Sequence, residues 1–128
     1  MEKTHNATIL IVEDESVFRL IYRGVLEKEG YQVLEAENGL TAWDLVKKKK
    51  PDLVLLDLIL PELSGYEVLK KIRTNEETKE IPVIIFSVLG AGEDIQKALD
   101  LGANYYRVKG SNSPSEILNY INKLLDKN

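Results

Sequence analysis

Five polar residues of this chain stand at the ends of apolar runs that lie far apart in sequence, and their types suit one kind of chemistry. Glu13 and Asp14 follow Ile9-Leu10-Ile11-Val12, and Asp57 follows Leu53-Val54-Leu55-Leu56. Ser87 follows Val83-Ile84-Ile85-Phe86, and Lys109 follows Tyr105-Tyr106-Arg107-Val108. If these runs are parallel strands of one sheet, three carboxylates, a hydroxyl and an amine share one rim. Two bare carboxylates ~4 Å apart repel by about 4 kcal/mol at an effective dielectric of 20, so a cationic group must offset them. Lys109 supplies one positive charge, and a hard divalent cation would supply the rest. Magnesium suits best, because it takes a few carboxylates together with waters and phosphate oxygens rather than a full protein cage. Taken singly, each residue reads as a solvated strand terminus. Five of them at the ends of four strands argue for a site.

The elements that must position these residues alternate along the chain. Between the first run and Gly30, Val17, Leu20, Ile21 and Val25 recur at helical spacing, with Gly30 placed to end the helix. Tyr31 to Ala36 reads as a second strand, and Asn38-Gly39 as a turn. Ala42, Leu45 and Val46 stripe a second helix that stops before Pro51; Val68, Leu69 and Ile72 stripe a third. Pro82 opens the fourth strand, and Ile95, Ala98 and Leu99 mark a helix ending at Gly102. Ile117, Leu118, Ile121, Leu124 and Leu125 stripe a fifth helix after the fifth strand. Alternating strands and helices predict an α/β fold, a parallel sheet covered on both faces. Strands one, three and four are unbroken apolar runs, as strands covered on both sides should be, whereas strand two carries Gln32 and Glu35 and strand five carries Arg107 beside Asn104. Two and five are therefore the edges. Sequential strands tend to be neighbours, so the predicted order is 2-1-3-4-5, the flavodoxin-like doubly wound arrangement of five strands and five helices. In such sheets ligands bind outside the carboxyl ends of strands one and three, where the connections diverge. Glu13, Asp14 and Asp57 fall at that place.

Composition narrows the function classes. A length of 128 residues predicts one domain over 1–128, with its core at about 7–126. The absence of cysteine excludes a disulfide framework, thiolate zinc sites and cysteine nucleophiles, and fits a cytoplasmic protein. A net charge of −4 argues against nucleic-acid binding through overall charge. The apolar runs are too short to span a bilayer, and the polar stretch from Met1 to Thr8 lacks the apolar segment of a secretory signal. Lys47 to Lys50 is a basic run at a helix C-terminus, where positive charge suits the helix dipole, so it reads as a solvated helix end. The single histidine, His5, lies in the polar tail, away from the rim, and Trp43 reads as half-buried packing.

The string Asp57-Leu58-Ile59-Leu60-Pro61-Glu62-Leu63-Ser64-Gly65 sets a proline four residues and a glycine eight residues after the strand-end aspartate. Together with the acidic pair in Val12-Glu13-Asp14, the hydroxyl of Ser87 and Lys109, it resembles the receiver domain of response regulators in two-component phosphorelays, over nearly the whole chain. The resemblance implies that Asp57 is the phosphoacceptor, taking a phosphoryl group from a phosphohistidine of a sensor histidine kinase or a histidine phosphotransfer protein. It implies that Glu13, Asp14, Asp57 and the backbone carbonyl of Ile59 hold Mg2+, and that Lys109 pairs with the phosphoryl group. Ser87 is then the hydroxyl that moves to the phosphoryl, and Tyr106, three residues before Lys109, the aromatic switch, leaving Tyr105 to packing. Phosphorylation would change the surface of strand five and helices four and five, and so control a downstream target protein or an attached output domain.

Several positions depart from the family pattern. Gly110 follows Lys109 where the family places a proline after a cis bond, so either the loop runs in trans or it keeps a strain of ~2.5–4 kcal/mol. Val88 stands where a very small residue is usual, and Ile59 and Leu89 are apolar where polar groups often sit. This bulk should hinder an attacking water and prolong the phosphorylated state. Gly90-Ala91-Gly92 gives a flexible connector or a hinge before helix four. A flavodoxin would need a hydroxyl-rich phosphate loop where Glu13-Asp14-Glu15 stands, and a haloacid-dehalogenase phosphatase a second aspartate where Ile59 stands. A degenerate receiver that acts by binding alone is the remaining alternative. No residues are left over for an output domain, so the chain reads as a stand-alone receiver or as one domain of a longer protein.

Overall fold

The computed structural model describes residues 6–111 and 113–126; His5 lies outside them. Five strands, β1 (Thr8–Val12), β2 (Gln32–Ala36), β3 (Leu53–Leu56), β4 (Val83–Ser87) and β5 (Tyr105–Val108), alternate with five helices. These are α1 (Ser16–Lys28), α2 (Gly39–Lys49), α3 (Gly65–Thr74), α4 (Gly92–Asp100) and α5 (Pro114–Asp126). All strand pairs are parallel and the order is β2-β1-β3-β4-β5, as expected from strand composition. The period-two alternation of strands sorts the core into two layers. Leu10, Val12, Val54, Leu56, Val83, Ile85 and Tyr106 face α2, α3 and α4, whereas Ile9, Ile11, Leu53, Leu55, Ile84 and Phe86 face α1 and α5.

Helix ends follow local chemistry. Gly30, at φ +102°, donates to the Glu27 carbonyl, and the Tyr31 amide donates back to Leu26 at 3.1 Å. This paired closure satisfies the last carbonyls of α1 and sets Tyr31 on Leu26. Tyr31 therefore belongs to the cap, and β2 begins one residue later than its apolar pattern suggested. Gly102 closes α4 in the same way, with Ala103 donating to Ala98. Ser113 and Glu116 cap α5 reciprocally, each side chain accepting from the other's amide.

Three further expectations are corrected. Asn38-Gly39 is not a free turn: Asn38 caps α2 by accepting from the Thr41 amide at 2.8 Å, and Gly39 is the first helical residue. Glycine is required there because a Cβ would lie 1.9 Å from the Leu63 carbonyl oxygen. On α1, the apolar set Val17, Leu20 and Ile21 does not face the core; it is 66%, 72% and 48% exposed. The sheet is met instead by Phe18, Tyr22 and Leu26, another row at helical spacing, because the large rings fill the space over Phe86. Leu99 of α4 is likewise exposed, with Ala98 taking the buried position. The basic run ends α2 as expected, with Lys48 paired to Asp44 and Lys50 to Glu77 at the surface, and Trp43 is half-buried.

Candidate functional site

The carboxyl ends of β1, β3, β4 and β5 form one edge of the sheet, and the five rim residues stand there. Register explains why. Val12 pairs with Leu56, so Glu13 and Asp57 leave adjacent strands at the same level. Ser87 pairs with Val108, so Ser87 and the residue before Lys109 are neighbours, and the Lys109 amide donates to the Ser87 carbonyl at 2.8 Å. Asp57 is further held by its amide, which donates to the Val12 carbonyl at 3.1 Å.

Glu13, Asp14 and Asp57 each offer a carboxylate oxygen, and these atoms lie within 4.8 Å of one another. Glu13 and Asp57 are buried, and Asp14 is exposed. Lys109 bridges the buried pair, with its ammonium bonded to Glu13 Oε1 and lying 3.2 Å from Asp57 Oδ2. The remaining oxygens are met by backbone: Glu13 Oε2 accepts from the Glu15 amide at 3.1 Å and Asp57 Oδ1 from the Ile59 amide at 3.3 Å. Arg19 donates to the Glu13 carbonyl at 2.7 Å and pairs with Glu35, tying the acidic turn to β2.

Burial pushes the Glu13 carboxyl above its usual range, against the pull of the Lys109 hydrogen bond. Burial works the opposite way on Lys109, but its bonds and charges with Glu13 and Asp57 win and raise it. The ammonium therefore stays charged at neutral pH, as a cation between two carboxylates should. Three carboxylates and one ammonium leave two negative charges in the pocket. That balance and the all-oxygen donor set fit a hard divalent cation such as Mg2+.

Ser87 and Tyr106 are buried and do not join the carboxylate cluster directly; both grip the same residue of the β4–α4 loop. The Leu89 amide donates to Ser87 Oγ across a long 3.4 Å, and the Tyr106 phenol donates to the Leu89 carbonyl at 2.5 Å. Burial, with further contributions from Tyr66, Asp94 and Asp57, pushes the Tyr106 phenol up to about 12. Tyr105 takes the opposite face and packs on Tyr120 of α5. The Lys109–Gly110 peptide is trans, with Gly110 at φ +88° and Ser111 donating back to the Val108 carbonyl at 3.2 Å. The loop is thus re-routed through a glycine turn. Ile59 and Val88 are exposed, while Leu89 is partly buried. Two residues that the sequence did not single out belong to this setting: Arg19, described above, and Phe18, whose ring lies against Lys109. An arginine in the first turn of the helix that follows the acidic pair was the available clue to the first.

Comparison with known proteins agrees with this geometry. The family described as response regulator receiver domain matches residues 9–122. Over 98 residues the chain is 45% identical to sporulation initiation phosphotransferase F of Bacillus subtilis, spanning 77% of each protein. It is 40% identical over 111 residues to the phosphate regulon transcriptional regulatory protein PhoB of Pseudomonas aeruginosa, covering 87% of this chain but 48% of that one. Among solved structures, the receiver domain of a sensor histidine kinase from Pseudomonas aeruginosa, with a magnesium ion coordinated in its active-site cleft, superposes with a TM-score of 0.86. That alignment has 26% identity and covers 95% of this chain and 99% of that one. The parallel sheet, the acidic rim and these matches together place the chain in the response-regulator receiver family of two-component signalling.

Proposed function

We propose that the chain is a magnesium-dependent phosphorelay switch with Asp57 as its acceptor. The observation that carries this reading is the meeting of Glu13, Asp14, Asp57 and Lys109 at one sheet edge. A carboxylate oxygen of Asp57 forms a bond to phosphorus as the P–N bond of a phosphohistidine breaks. The electron pair stays on nitrogen, and a donor ring protonated at its other nitrogen leaves as neutral imidazole. Glu13, Asp14, Asp57 and the Ile59 carbonyl hold Mg2+, which when bound neutralises the phosphoryl oxygens. Lys109, already beside Asp57, keeps an ammonium against the charge that develops. Ser87 then turns its hydroxyl to the phosphoryl group and releases the Leu89 amide. Tyr106 holds the carbonyl of that residue, so the movement passes to β5 and to α4. The surface of β5, α4 and α5 carries the change to a target protein or an attached output domain. A cytoplasmic location fits this role; among the described residues no helix is long and apolar enough to cross a membrane.

The test is intact mass after incubation with phosphoramidate. One phosphoryl group should add in the presence of Mg2+, none after chelation and none in Asp57→Asn. A native chain that takes up no phosphoryl under these conditions would instead support a receiver that works by binding alone.

The donor must reach Asp57 past α1, whose exposed Val17, Leu20 and Ile21 form an apolar surface next to the acidic turn. A helical face of the donor protein suits that surface. Leu20→Asp should slow transfer from a phosphorylated histidine protein at least tenfold, about 1.4 kcal/mol, while labelling by phosphoramidate stays unchanged. Equal loss with both donors would show that the substitution acts on the pocket itself.

Ile59 and Val88 stand exposed on the loops after β3 and β4, where their bulk would hinder an attacking water. Val88→Ala should shorten the lifetime of the phosphorylated state several-fold, read as the decay of the mass adduct after the donor is removed. An unchanged lifetime would remove side-chain bulk as the cause.

A further inference from the structure

The ammonium of Lys109 has a third neighbour besides its two carboxylates. Its Nζ lies 4.5 Å from the centroid of the Phe18 ring. An ammonium carries three N–H donors; Glu13 and Asp57 engage it, and the aromatic ring is its third neighbour. The Lys109 side chain is only 5% exposed, so water has little access to it. Phe18 is itself packed among rings. Its ring stacks on Tyr22 and meets the edge of Phe86, each at 6.0 Å, and Tyr22 and Phe86 contact one another at 5.2 Å. The same three rings line a small cleft beneath Glu13 and Asp57. A leucine would fill most of this volume but has no negative π-face to attract a cation.

We propose that Phe18 is a positioning residue for phosphoryl transfer, its ring face holding the Lys109 ammonium against Asp57. Lysine has a flexible four-carbon stem, and an ammonium drawn only to Glu13 is not fixed relative to the oxygen that takes up phosphorus. A fixed aromatic face against the ammonium adds a third contact that limits its movement away from Asp57. A desolvated cation–π contact of this kind is strong enough to set a rate. The inference rests on the reading of Asp57 as acceptor.

The experiment is a double-mutant cycle on the initial rate of labelling by phosphoramidate with saturating Mg2+, joined to a spectroscopic probe of the contact. Phe18→Leu should slow labelling about five- to thirtyfold, and Phe18→Tyr, which keeps the π-face, should restore most of the rate. In a Lys109→Met background, itself slow, adding Phe18→Leu should change the rate little, because the partner of the ring is gone. In 1H–13C spectra the Lys109 ε-methylene, assigned by its loss in Lys109→Met, should be shifted upfield by the ring in the native chain and in Phe18→Tyr. In Phe18→Leu it should return towards its ordinary position. An unshifted ε-methylene in the native chain, an unchanged rate in Phe18→Leu, or the same fold-loss with and without Lys109 overturns the role of Phe18. In those three cases a native chain that is still labelled leaves the acceptor reading of Asp57 intact. A native chain that takes no label sinks that reading and this inference with it.

Discussion

Lys109→Met is expected to destabilise the metal-free protein by about 3 kcal/mol, the lower end of the cost of breaking a buried ion pair, and saturating Mg2+ is expected to restore most of that loss. Methionine keeps the apolar stem of lysine and removes its charge. The Glu13 and Asp57 side chains are each 6% exposed, and Lys109 bonds both. Without it, two buried carboxylates face one another and, among the described residues, keep the Glu15 and Ile59 amides as partners. A divalent cation replaces the lost charge and also finds Glu13 Oε1 free of its competitor. Binding at about 100 times the dissociation constant stabilises by about 2.7 kcal/mol, enough to close most of the gap. Urea unfolding of both proteins, with Mg2+ and with chelator, measures this. A loss of the same size in both conditions would mean that Lys109 stabilises by packing and not by charge.

Gly65→Ala is the second large effect, because it reaches Asp57 through the backbone. Gly65 opens α3, with its amide bonded to the Leu58 carbonyl at 3.0 Å. A Cβ there would lie 2.1 Å from the Asp57 carbonyl oxygen and 2.6 Å from the Leu58 Cα. Neither atom belongs to a side chain that could rotate away, so α3 must lift from the end of β3. Overpacking of this kind costs about 1–3 kcal/mol, and backbone neighbours put it at the upper end. The Asp57 peptide moves with it, so labelling by phosphoramidate should slow as stability falls. Gly24 lies inside α1, and a Cβ added there would meet nothing within 4 Å. Gly24→Ala should therefore stabilise by about 1 kcal/mol through helix propensity. Denaturant midpoints for the two variants should shift in opposite directions. A Gly65→Ala protein with native midpoint and native labelling would contradict the close approach.

The departures of the fold from its sequence expectations share a cause. On α1, Val17, Leu20 and Ile21 and the row Phe18, Tyr22 and Leu26 both recur at helical spacing. Periodicity establishes a helix, but with apolar residues on both rows it cannot say which one meets the sheet. Phe86 on β4 decides, because the aromatic row packs on it. Asn38-Gly39 suits a tight turn by its local preferences, yet the glycine is there for the distant Leu63 carbonyl. Tyr31 has strand composition, and the helix before it claims its amide.

From the sequence alone came the five strands and five helices, their order in the sheet and the set of polar residues at its carboxyl edge. Those features follow from short-range rules: apolar period, turn residues, and the solvent exposure that an edge strand tolerates. Only the tertiary structure decided that Lys109 joins Glu13 and Asp57, partners 96 and 52 residues away, and that the Phe18 ring lies against it. It also decided that Ser87 and Tyr106 meet on Leu89. Such contacts depend on how strands align across crossovers and on which face each helix turns to the sheet, and no local stretch of chain contains that information.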